Sequence, residues 1–328
     1  MSLSDTLNAI NKAMGIGTVI MMSDKPLSNV SVISTTCCVL DRILGVGGIP
    51  RGRITEISGP ESSGKTTICL HLIAQAQKMG LKCAIIDTEH SLDVQYAQNL
   101  GVNVEELIFC QPEYAEIGLE VATQLADSKE VGLIIIDSIA GLLPKAEMEG
   151  SMEDQQMGLV PRILNKYLRK NTGIIRENNV ALVVTNQLRD KIGQSFGEQT
   201  TTVGGRGLRH DASIRLKVIR LETEKDKSSG EKSGSLTKVI CNKNKVAPPF
   251  KECTFSIIFG KGIDNFGCIV DLAVDLDIIK KAGAWYTYSG GTNNGRWQGR
   301  NNVIAELKEN DGLLIEINKE IELKLKVE

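Results

Sequence analysis

Residues 59–67 read Gly-Pro-Glu-Ser-Ser-Gly-Lys-Thr-Thr, which fits the phosphate-binding loop pattern G-x-x-x-x-G-K-[ST]. An apolar run, Ile54 to Ser58, predicts a strand before the loop, and residues 68–79 predict a helix after it. The motif requires this context, because glycines turn backbone N–H groups toward phosphate oxygens and the helix N-terminus adds its positive dipole end. The stretch therefore predicts a nucleoside triphosphate site formed by Gly59, Pro60, Glu61, Ser62, Ser63, Gly64, Lys65, Thr66 and Thr67.

Three side chains are expected to contact phosphate or metal. Lys65 should reach the β- and γ-phosphates, and the hydroxyl of Thr66 should ligate Mg²⁺. Leu133–Asp137 is an apolar strand that ends in a carboxylate, and ligands of open α/β sheets lie at the carboxyl ends of strands. Asp137 is therefore the expected metal-side carboxylate. The alternatives are a glycine-rich turn with a surface lysine, and an aspartate that only caps the next turn.

Two further strand ends carry polar groups suited to hydrolysis. Ile85-Ile-Asp-Thr-Glu89 ends with two carboxylates, and Glu89 lies just past the strand, where it can orient or deprotonate a water. Val183-Val-Thr-Asn-Gln187 ends with a neutral amide that can hydrogen-bond the γ-phosphate. The alternative for Glu89 is an exposed carboxylate with no role in chemistry.

Composition limits the class of protein. The 328 residues suffice for one large core and a smaller appendage, and the formal net charge of −2 restricts any nucleic-acid site to a local patch. No apolar stretch approaches the length of a membrane span, and the first thirty residues lack the features of a signal peptide. The eight cysteines show no C-x-x-C spacing, which predicts free thiols and no zinc site. We expect a cytoplasmic protein with no membrane partner.

Apolar strands alternate with helical patterns from about residue 31, which predicts a mostly parallel sheet covered by helices on both faces. The predicted strands are Ile54–Ser58, Cys83–Asp87, Leu107–Cys110, Leu133–Asp137 and Val180–Thr185, and the predicted helices are 65–79, 91–100, 115–128 and 158–178. After residue 212 an antiparallel extension is predicted, with the strands Ser213–Arg220, Leu236–Cys241 and Thr254–Phe259 and a hairpin tip within 222–235.

A small segment at the start of the chain and a small domain at its end are predicted beside the main domain. Residues 5–14 predict a helix capped by Asp5, and Thr18 to Met22 predicts a short strand; this segment either packs on the main domain or docks on a neighbouring copy. A small α/β domain is predicted at the other end, with a helix near 267–281 and a final helix from Asn301. The expected domains are 1–30, a nucleotide-binding core over 31–262, and 263–328.

Two segments have the composition of a nucleic-acid surface. The glycine-rich loop 188–207 holds basic groups and one aromatic, which suits single-stranded nucleic acid. Arg162, Lys166 and Arg169 recur at i, i+4 and i+7 on one helix face. The alternatives are a solvated surface loop and an ordinary exposed helix face.

These segments, in this order, resemble the bacterial-type RecA recombinases from about residue 30 to about 290. The matching strings are Gly59-Pro-Glu-Ser-Ser-Gly-Lys-Thr-Thr67, Ile86-Asp-Thr-Glu-His90, Asn186-Gln-Leu-Arg189 with Lys191-Ile-Gly193, Thr200-Thr-Thr202 with Gly204-Gly205, and Lys243-Asn-Lys245 with Pro249-Phe250-Lys251. The resemblance implies a RecA-like P-loop NTPase core. It also implies an ATP-dependent enzyme that assembles, partly through segment 1–30, into a helical filament on single-stranded DNA and exchanges strands with homologous duplex DNA.

The resemblance also implies roles for single residues. It makes Glu89 the catalytic base and Gln187 the γ-phosphate sensor, and it makes Lys243 and Lys245 a pair that reaches the neighbouring subunit's nucleotide. Together with Lys65 these form the implied catalytic set. Asp93 and Tyr96, which are three residues apart, match adenine-contacting positions. The implied DNA-contacting positions are Met157, Arg162, Arg169, Arg189, Lys191, Ile192, Phe196, Gly204 and Gly205.

Several departures from the family pattern are visible. His210 replaces an aromatic residue at the expected subunit interface, and the chain ends at Glu328 without an acidic tail, which predicts easier duplex binding and a lower Mg²⁺ requirement. Together with an altered segment 151–156, they suggest a divergent or phage-encoded member, with loader or repressor proteins as further partners. Two other classes stay open: a ring-forming RecA-fold ATPase, such as a helicase, and a nucleotide-gated DNA coat with negligible turnover.

Overall fold

The structure is a computed structural model that describes residues 2–15, 18–21, 23, 30–151, 158–190, 200–225 and 230–327. The chain divides into two compact units, residues 1–31 and residues 32–328. The three-part division expected from the sequence stays a prediction. No helix in these described ranges is long and apolar enough to cross a membrane. All eight cysteines fall within them and are free.

The first unit contains the helix α1, Leu3–Met14, which begins earlier than predicted. Ser2 is the N-cap: its hydroxyl accepts from the Asp5 N–H at 3.1 Å, and the Asp5 carboxylate accepts from the Ser2 N–H at 2.9 Å. Asp5 is therefore the third helical residue of a capping box, and the prediction that it caps the helix is wrong.

The short strand predicted at residues 18–22 is also wrong over its described residues 18–21, which form bends and irregular backbone. Asn11 of α1 takes up both backbone groups of Val19, because its amide donates to the Val19 carbonyl at 2.8 Å and accepts from the Val19 N–H at 2.9 Å. A strand partner would need those same groups. Met22 lies outside the described residues.

The second unit contains the remaining helices and strands. The strands are β1 Val32–Ile33, β2 Ile49–Pro50, β3 Arg53–Gly59, β4 Lys82–Asp87, β5 Leu107–Cys110, β6 Val131–Asp137, β7 Ala181–Asp190, β8 Thr200–Thr202, β9 Ile214–Lys225, β10 Lys232–Asn244, β11 Glu252–Ile258, β12 Gly262–Ile263, β13 Ile279–Ala282, β14 Trp285–Tyr288 and β15 Gly295–Gln298. The helices are α2 Cys38–Leu44, α3 Lys65–Lys78, α4 Val94–Asn99, α5 Ala115–Asp127, α6 Lys145–Glu149, α7 Leu159–Glu177, α8 Gly205–Asp211, α9 Asn265–Asp275, α10 Arg300–Glu309 and α11 Asp311–Val327.

One large sheet organises this unit, in the order β12-β11-β10-β9-β3-β7-β6-β4-β5, and β8 pairs with β7 to one side. The strands from β9 through β5 pair in parallel, whereas β9 to β12 and the β7–β8 pair are antiparallel. This arrangement confirms the predicted mostly parallel sheet with an antiparallel extension.

Successive residues of the central strands face two different cores. Ile85 of β4 packs in the core that holds Ile73 of α3, while its neighbour Ile86 packs in the core that holds Ala122 of α5. Each fully buried side chain of this size contributes about 1.5–3 kcal/mol. Because both faces are covered, the strands need continuous apolar runs, which is why they could be recognised in the sequence.

A separate hydrophobic core lies toward the C-terminus, between α9, α10, α11 and β14. The helix predicted near 267–281 is too long: α9 ends at Asp275, Asp277 takes a left-handed φ of 53°, and residues 279–282 pair with β14 instead. The predicted hairpin at 222–235 is present as the β9–β10 pair, and its residues 226–229 lie outside the described part of the chain.

Candidate functional site

Four strand ends meet at one edge of the sheet. In the strand register Gly59 lies beside Gln187, and Asp87 lies beside Asp137. A cleft of about 650 Å³ lies at this edge, and the strand-end residues Asp137 and Gln187 line it. The predicted site residues that line it are Glu61, Ser62, Ser63, Gly64, Lys65, Thr66, Thr67, Glu89, Asp93, Tyr96, Asp137 and Gln187.

The loop between β3 and α3 turns at a left-handed glycine. Gly64 has a left-handed φ of +99°, and a Cβ atom there would lie 2.4 Å from the Cδ1 atom of Ile257, so only glycine fits. Lys65 folds back over the loop, and its Nζ atom donates to the carbonyls of Gly59 at 3.1 Å and Pro60 at 2.8 Å. Burial lowers the pKa of Lys65, while the nearby Asp137 and Glu89 charges act against that shift.

The loop fits a phosphate group. The Ser63 hydroxyl is buried and has no hydrogen-bond partner within the described residues, which is a cost that a phosphate oxygen would remove. Lys65 is a cation and is also the first residue of α3, so its charge and the positive end of the helix dipole both favour an anion at this loop.

Thr66 and Asp137 form an oxygen-rich pair at the floor of the cleft. The Thr66 hydroxyl donates to Oδ2 of Asp137 at 2.8 Å, and the Thr185 hydroxyl donates to Oδ1. Burial raises the pKa of Asp137, and these two hydrogen bonds oppose that rise. Hydroxyl and carboxylate oxygens are the ligands that Mg²⁺ prefers. In the described ranges, no group of three or more His, Cys, Asp or Glu side chains is arranged to hold a metal by itself.

Glu89 is held by two donors. The Ser138 hydroxyl and the Gln187 amide both donate to its Oε1 atom, the amide at 3.0 Å. Asp87 shapes the turn that carries Glu89, because its carboxylate accepts from the backbone N–H groups of residues 89, 91 and 92 at 3.1, 3.0 and 3.2 Å. The structure therefore brings the predicted base and the predicted sensor into direct contact.

The outer end of the cleft combines α4 with the antiparallel extension. Asp93 caps α4 by accepting from the Tyr96 N–H at 3.0 Å, and the Tyr96 hydroxyl lies 3.0 Å from the Thr67 hydroxyl. Phe259 and Gly260 line the same end. The sequence prediction missed these two residues, since nothing in their local pattern brings them near a loop 200 residues earlier. It also missed Ser138 and Thr185, although each follows or precedes a predicted site strand end.

Lys243 and Lys245 do not line this cleft. The Nζ atom of Lys243 donates to the carbonyls of Arg209 at 2.7 Å and His210 at 2.8 Å, and that of Lys245 donates to the His210 carbonyl at 3.1 Å. Both cations thus hold the C-terminal end of α8, where the helix dipole favours positive charge. Burial, and then the neighbouring Lys245, lower the pKa of Lys243. The His210 side chain is 87% exposed.

The predicted DNA positions fall on α7 and around the β7–β8 pair. Arg162 and Arg169 are exposed on α7, and Arg189 pairs with Thr201 across β7 and β8. Gly204 is the N-cap of α8 and Gly205 is its first residue. A Cβ atom at Gly204 would lie 2.7 Å from Leu164 of α7, so glycine permits close packing there. Met157, Lys191, Ile192 and Phe196 lie outside the described residues.

Comparison with known proteins agrees with this architecture. The model of the RecA N-terminal domain matches residues 1–264, and that of the RecA C-terminal domain matches residues 267–326. Protein RecA of Acinetobacter baylyi is 48% identical over 316 residues, which cover 96% of this chain and 89% of the relative. Protein RecA of Campylobacter jejuni is 46% identical over 328 residues, which cover all of this chain and 94% of the relative.

A solved structure shares the fold. The crystal structure of the RadB recombinase superimposes with a TM-score of 0.54 at 24% identity, over 71% of this chain and 98% of that one. Two domain models that together span nearly the whole chain, and relatives close to half identical over nearly their full length, lead to one conclusion: the chain belongs to the RecA family.

Proposed function

We propose that this protein is an ATP-dependent DNA recombinase that acts in the cytoplasm. It forms a helical filament on single-stranded DNA, pairs that strand with homologous duplex DNA and exchanges strands, and it hydrolyses ATP in response to DNA. The observation that carries the proposal is the contact between Glu89 and Gln187 at 3.0 Å, beside the loop 59–67 and in the strand β7 that leads into the segment before β8.

Different residues of the cleft would serve different parts of hydrolysis. The loop N–H groups, Ser63 and Lys65 would bind the phosphates, and Thr66 and Asp137 would hold Mg²⁺. When bound, Mg²⁺ neutralises charge on the phosphates. Glu89 accepts a proton from the attacking water, and the Ser138 and Gln187 donors fix the orientation of its carboxylate.

Assembly is proposed to complete the site. Lys243 and Lys245 lie at the end of α8, outside the cleft of their own subunit, so a role in hydrolysis would be at the cleft of a neighbouring copy. Cations supplied in this way would stabilise charge on the transferred γ-phosphoryl group, as an arginine finger does. A head-to-tail interface that repeats without closing produces a helical filament, whereas one that closes produces a ring.

DNA is proposed to bind along α7 and the segment between β7 and β8. The exposed cations Arg162 and Arg169 would pair with backbone phosphates, and such contacts weaken steeply as salt rises. Gln187 would report the γ-phosphate to this surface, because it is part of the strand from which the segment begins.

The test is ATP hydrolysis with and without single-stranded DNA at two salt concentrations. We expect strong stimulation by DNA that falls at high salt, and its loss in Lys65→Ala. Lys82→Ala is the matched control, because Lys82 is exposed and pairs with Glu130 at 2.6 Å, away from the cleft. Hydrolysis indifferent to DNA, together with closed rings in electron micrographs, would favour a ring-forming ATPase instead. Wild-type activity in Lys65→Ala would contradict the nucleotide site.

A further inference from the structure

Three adjacent strands share a buried polar network behind the nucleotide cleft. Glu56 of β3 is fully buried, and each of its carboxylate oxygens has its own donor. Arg215 of β9 donates to Oε2 at 2.5 Å, and the Asn186 amide of β7 donates to Oε1 at 2.8 Å. A buried carboxylate is tolerated only when it is paired in this way, so the network fixes the position of Asn186.

Asn186 makes a second contact that reaches across a loop. Its Nδ2 atom also donates to the Val203 carbonyl at 2.8 Å. The chain leaves β7 at Asp190 and returns through β8, and Val203 directly follows β8. This bond therefore joins the strand before the β7–β8 segment to the residue that follows the returning strand. We call Glu56, the Asn186 amide and the Val203 carbonyl the loop anchor.

The amide orientation in the loop anchor is fixed by chemistry. Both neighbours, the Glu56 carboxylate and the Val203 carbonyl, can only accept, so the NH₂ group must face them. The Asn186 Oδ1 atom is left buried without a hydrogen-bond partner among the described residues. The chain therefore accepts the cost of one unsatisfied oxygen in order to place two donors at this point.

Side chains alternate between the two faces of the sheet along β7, so the loop anchor and the nucleotide-cleft contacts lie on opposite faces of the same strand. Thr185 and Gln187 point toward the cleft, where they contact Asp137 and Glu89. Asn186 lies between them and points to the opposite face, as successive strand residues must. One short piece of backbone thus carries cleft contacts on one side and the base of the β7–β8 segment on the other.

We propose that Asn186, positioned by Glu56, transmits the state of the nucleotide cleft to the DNA-binding segment between β7 and β8. This inference rests on the proposed function. When Gln187 exchanges its Glu89 partner for a phosphate oxygen, its backbone shifts, and the adjoining Asn186 moves Val203 and the start of α8 with it. Asn186 is a positioning residue, because it contacts neither nucleotide nor DNA. A ligand shifts such an equilibrium only through contacts that differ between the two states, and Gln187 provides that difference.

The experiment measures the affinity of a fluorescent oligothymidylate without nucleotide and with a slowly hydrolysed ATP analogue. The affinity of the analogue itself is measured separately. The variants are Asn186→Ala, which removes both donors, and Asn186→Thr, which suits a strand and keeps one donor but cannot serve two acceptors. Thr123→Ala is the matched control, since Thr123 is also buried and donates to the Leu119 carbonyl at 2.9 Å, but lies within α5, outside both the cleft and the proposed DNA surface.

In the wild type, coupling between two sites usually amounts to a gain of about 5- to 150-fold in affinity. We expect that gain to fall to near unity in both Asn186 variants with analogue affinity unchanged, and to persist in Thr123→Ala. Asn186→Thr decides the outcome if Asn186→Ala does not fold.

A wild-type gain in the Asn186 variants would overturn the inference and leave the proposed function intact. Loss of the gain in Thr123→Ala as well would also overturn it, because the effect would then follow general destabilisation. A wild type whose DNA affinity does not respond to the analogue would overturn both the inference and the proposed function.

Discussion

Acid should lower the unfolding free energy of this protein through the protonation of one buried histidine. His71 on α3 is 6% exposed, and its Nε2 atom accepts from the Ile263 N–H at 3.0 Å. A backbone N–H can only donate, so the neutral ring must carry its hydrogen on Nδ1, which lies 3.2 Å from the Thr36 hydroxyl. Burial, and then the Lys78 charge, lower the pKa of His71 from 6.5 to about 4. Protonation would set an Nε2–H group against the Ile263 N–H group.

The sign and size of the effect follow from the two pKa values. Because the folded-state pKa is depressed, the folded protein favours neutral His71, and this stabilisation is complete above pH 6.5 and lost as the pH falls toward 4. Each pH unit in this window costs about 1.4 kcal/mol. At pH 5, about 1.5 units below the unfolded-state pKa, titration of His71 should lower the unfolding free energy by about 2 kcal/mol.

Urea unfolding of the wild type and His71→Gln between pH 7.5 and 5 isolates this contribution. Gln cannot titrate and keeps an acceptor for Ile263, so the stability advantage of the wild type over the variant should shrink by about 2 kcal/mol on acidification. Asp41, whose pKa burial raises to about 6, titrates with the opposite sign but does so in both proteins. His210→Gln, at an exposed site, should follow the wild type. A wild-type advantage that stays constant with pH would refute the reasoning.

Three other changes test separate parts of the structure. Glu89→Gln should still bind ATP but hydrolyse it about 10²- to 10⁴-fold more slowly in a steady-state assay, and an unchanged rate would remove Glu89 from the role of base. Thr66→Val keeps the shape of the side chain but removes the hydroxyl that contacts Asp137, so a Mg²⁺ titration of nucleotide binding should shift to higher concentrations; an identical titration would contradict the assignment. Ile135→Ala, at a fully buried position of β6, should lower the unfolding free energy by about 2–5 kcal/mol in urea, whereas a loss below 1 kcal/mol would show that the core there is not closely packed.

Features that depend on local pattern could be predicted from the sequence. Neighbouring residues were enough to predict the parallel sheet, because a strand buried on both faces must be continuously apolar. They were also enough to predict the loop 59–67, which follows such a strand, and the strand ends at Asp137 and Gln187. The role of Ser2 as the cap of α1 was missed because Asp5, three residues later, is an equally good capping residue type and forms the other half of the box.

Features that depend on distant pairing could not be predicted in the same way. Phe259 and Gly260 reach the cleft only because β11 and β12 extend the sheet past β9 and β10, an order that local patterns do not specify. The loop anchor has the same origin, since Glu56 and Asn186 become neighbours only when β3 lies beside β7. The helix near 267–281 was overextended because its apolar pattern continues past Asp275, while the left-handed φ at Asp277 is set by the β13 pairing that follows.

The place of β3 in the sheet has a consequence for biosynthesis. Its two hydrogen-bonded neighbours are β7 and β9. Arg53 therefore cannot pair with its partner in the sheet until Ala181 has been synthesised, and Ser58 cannot do so until Lys217 has been synthesised. A nascent chain that has emerged only as far as α7 contains the whole phosphate-loop motif but neither strand that supports it. Contacts of such long sequence separation form late, and domains fold as units during synthesis. Nucleotide binding should therefore begin abruptly, after about two thirds of the chain has left the ribosome.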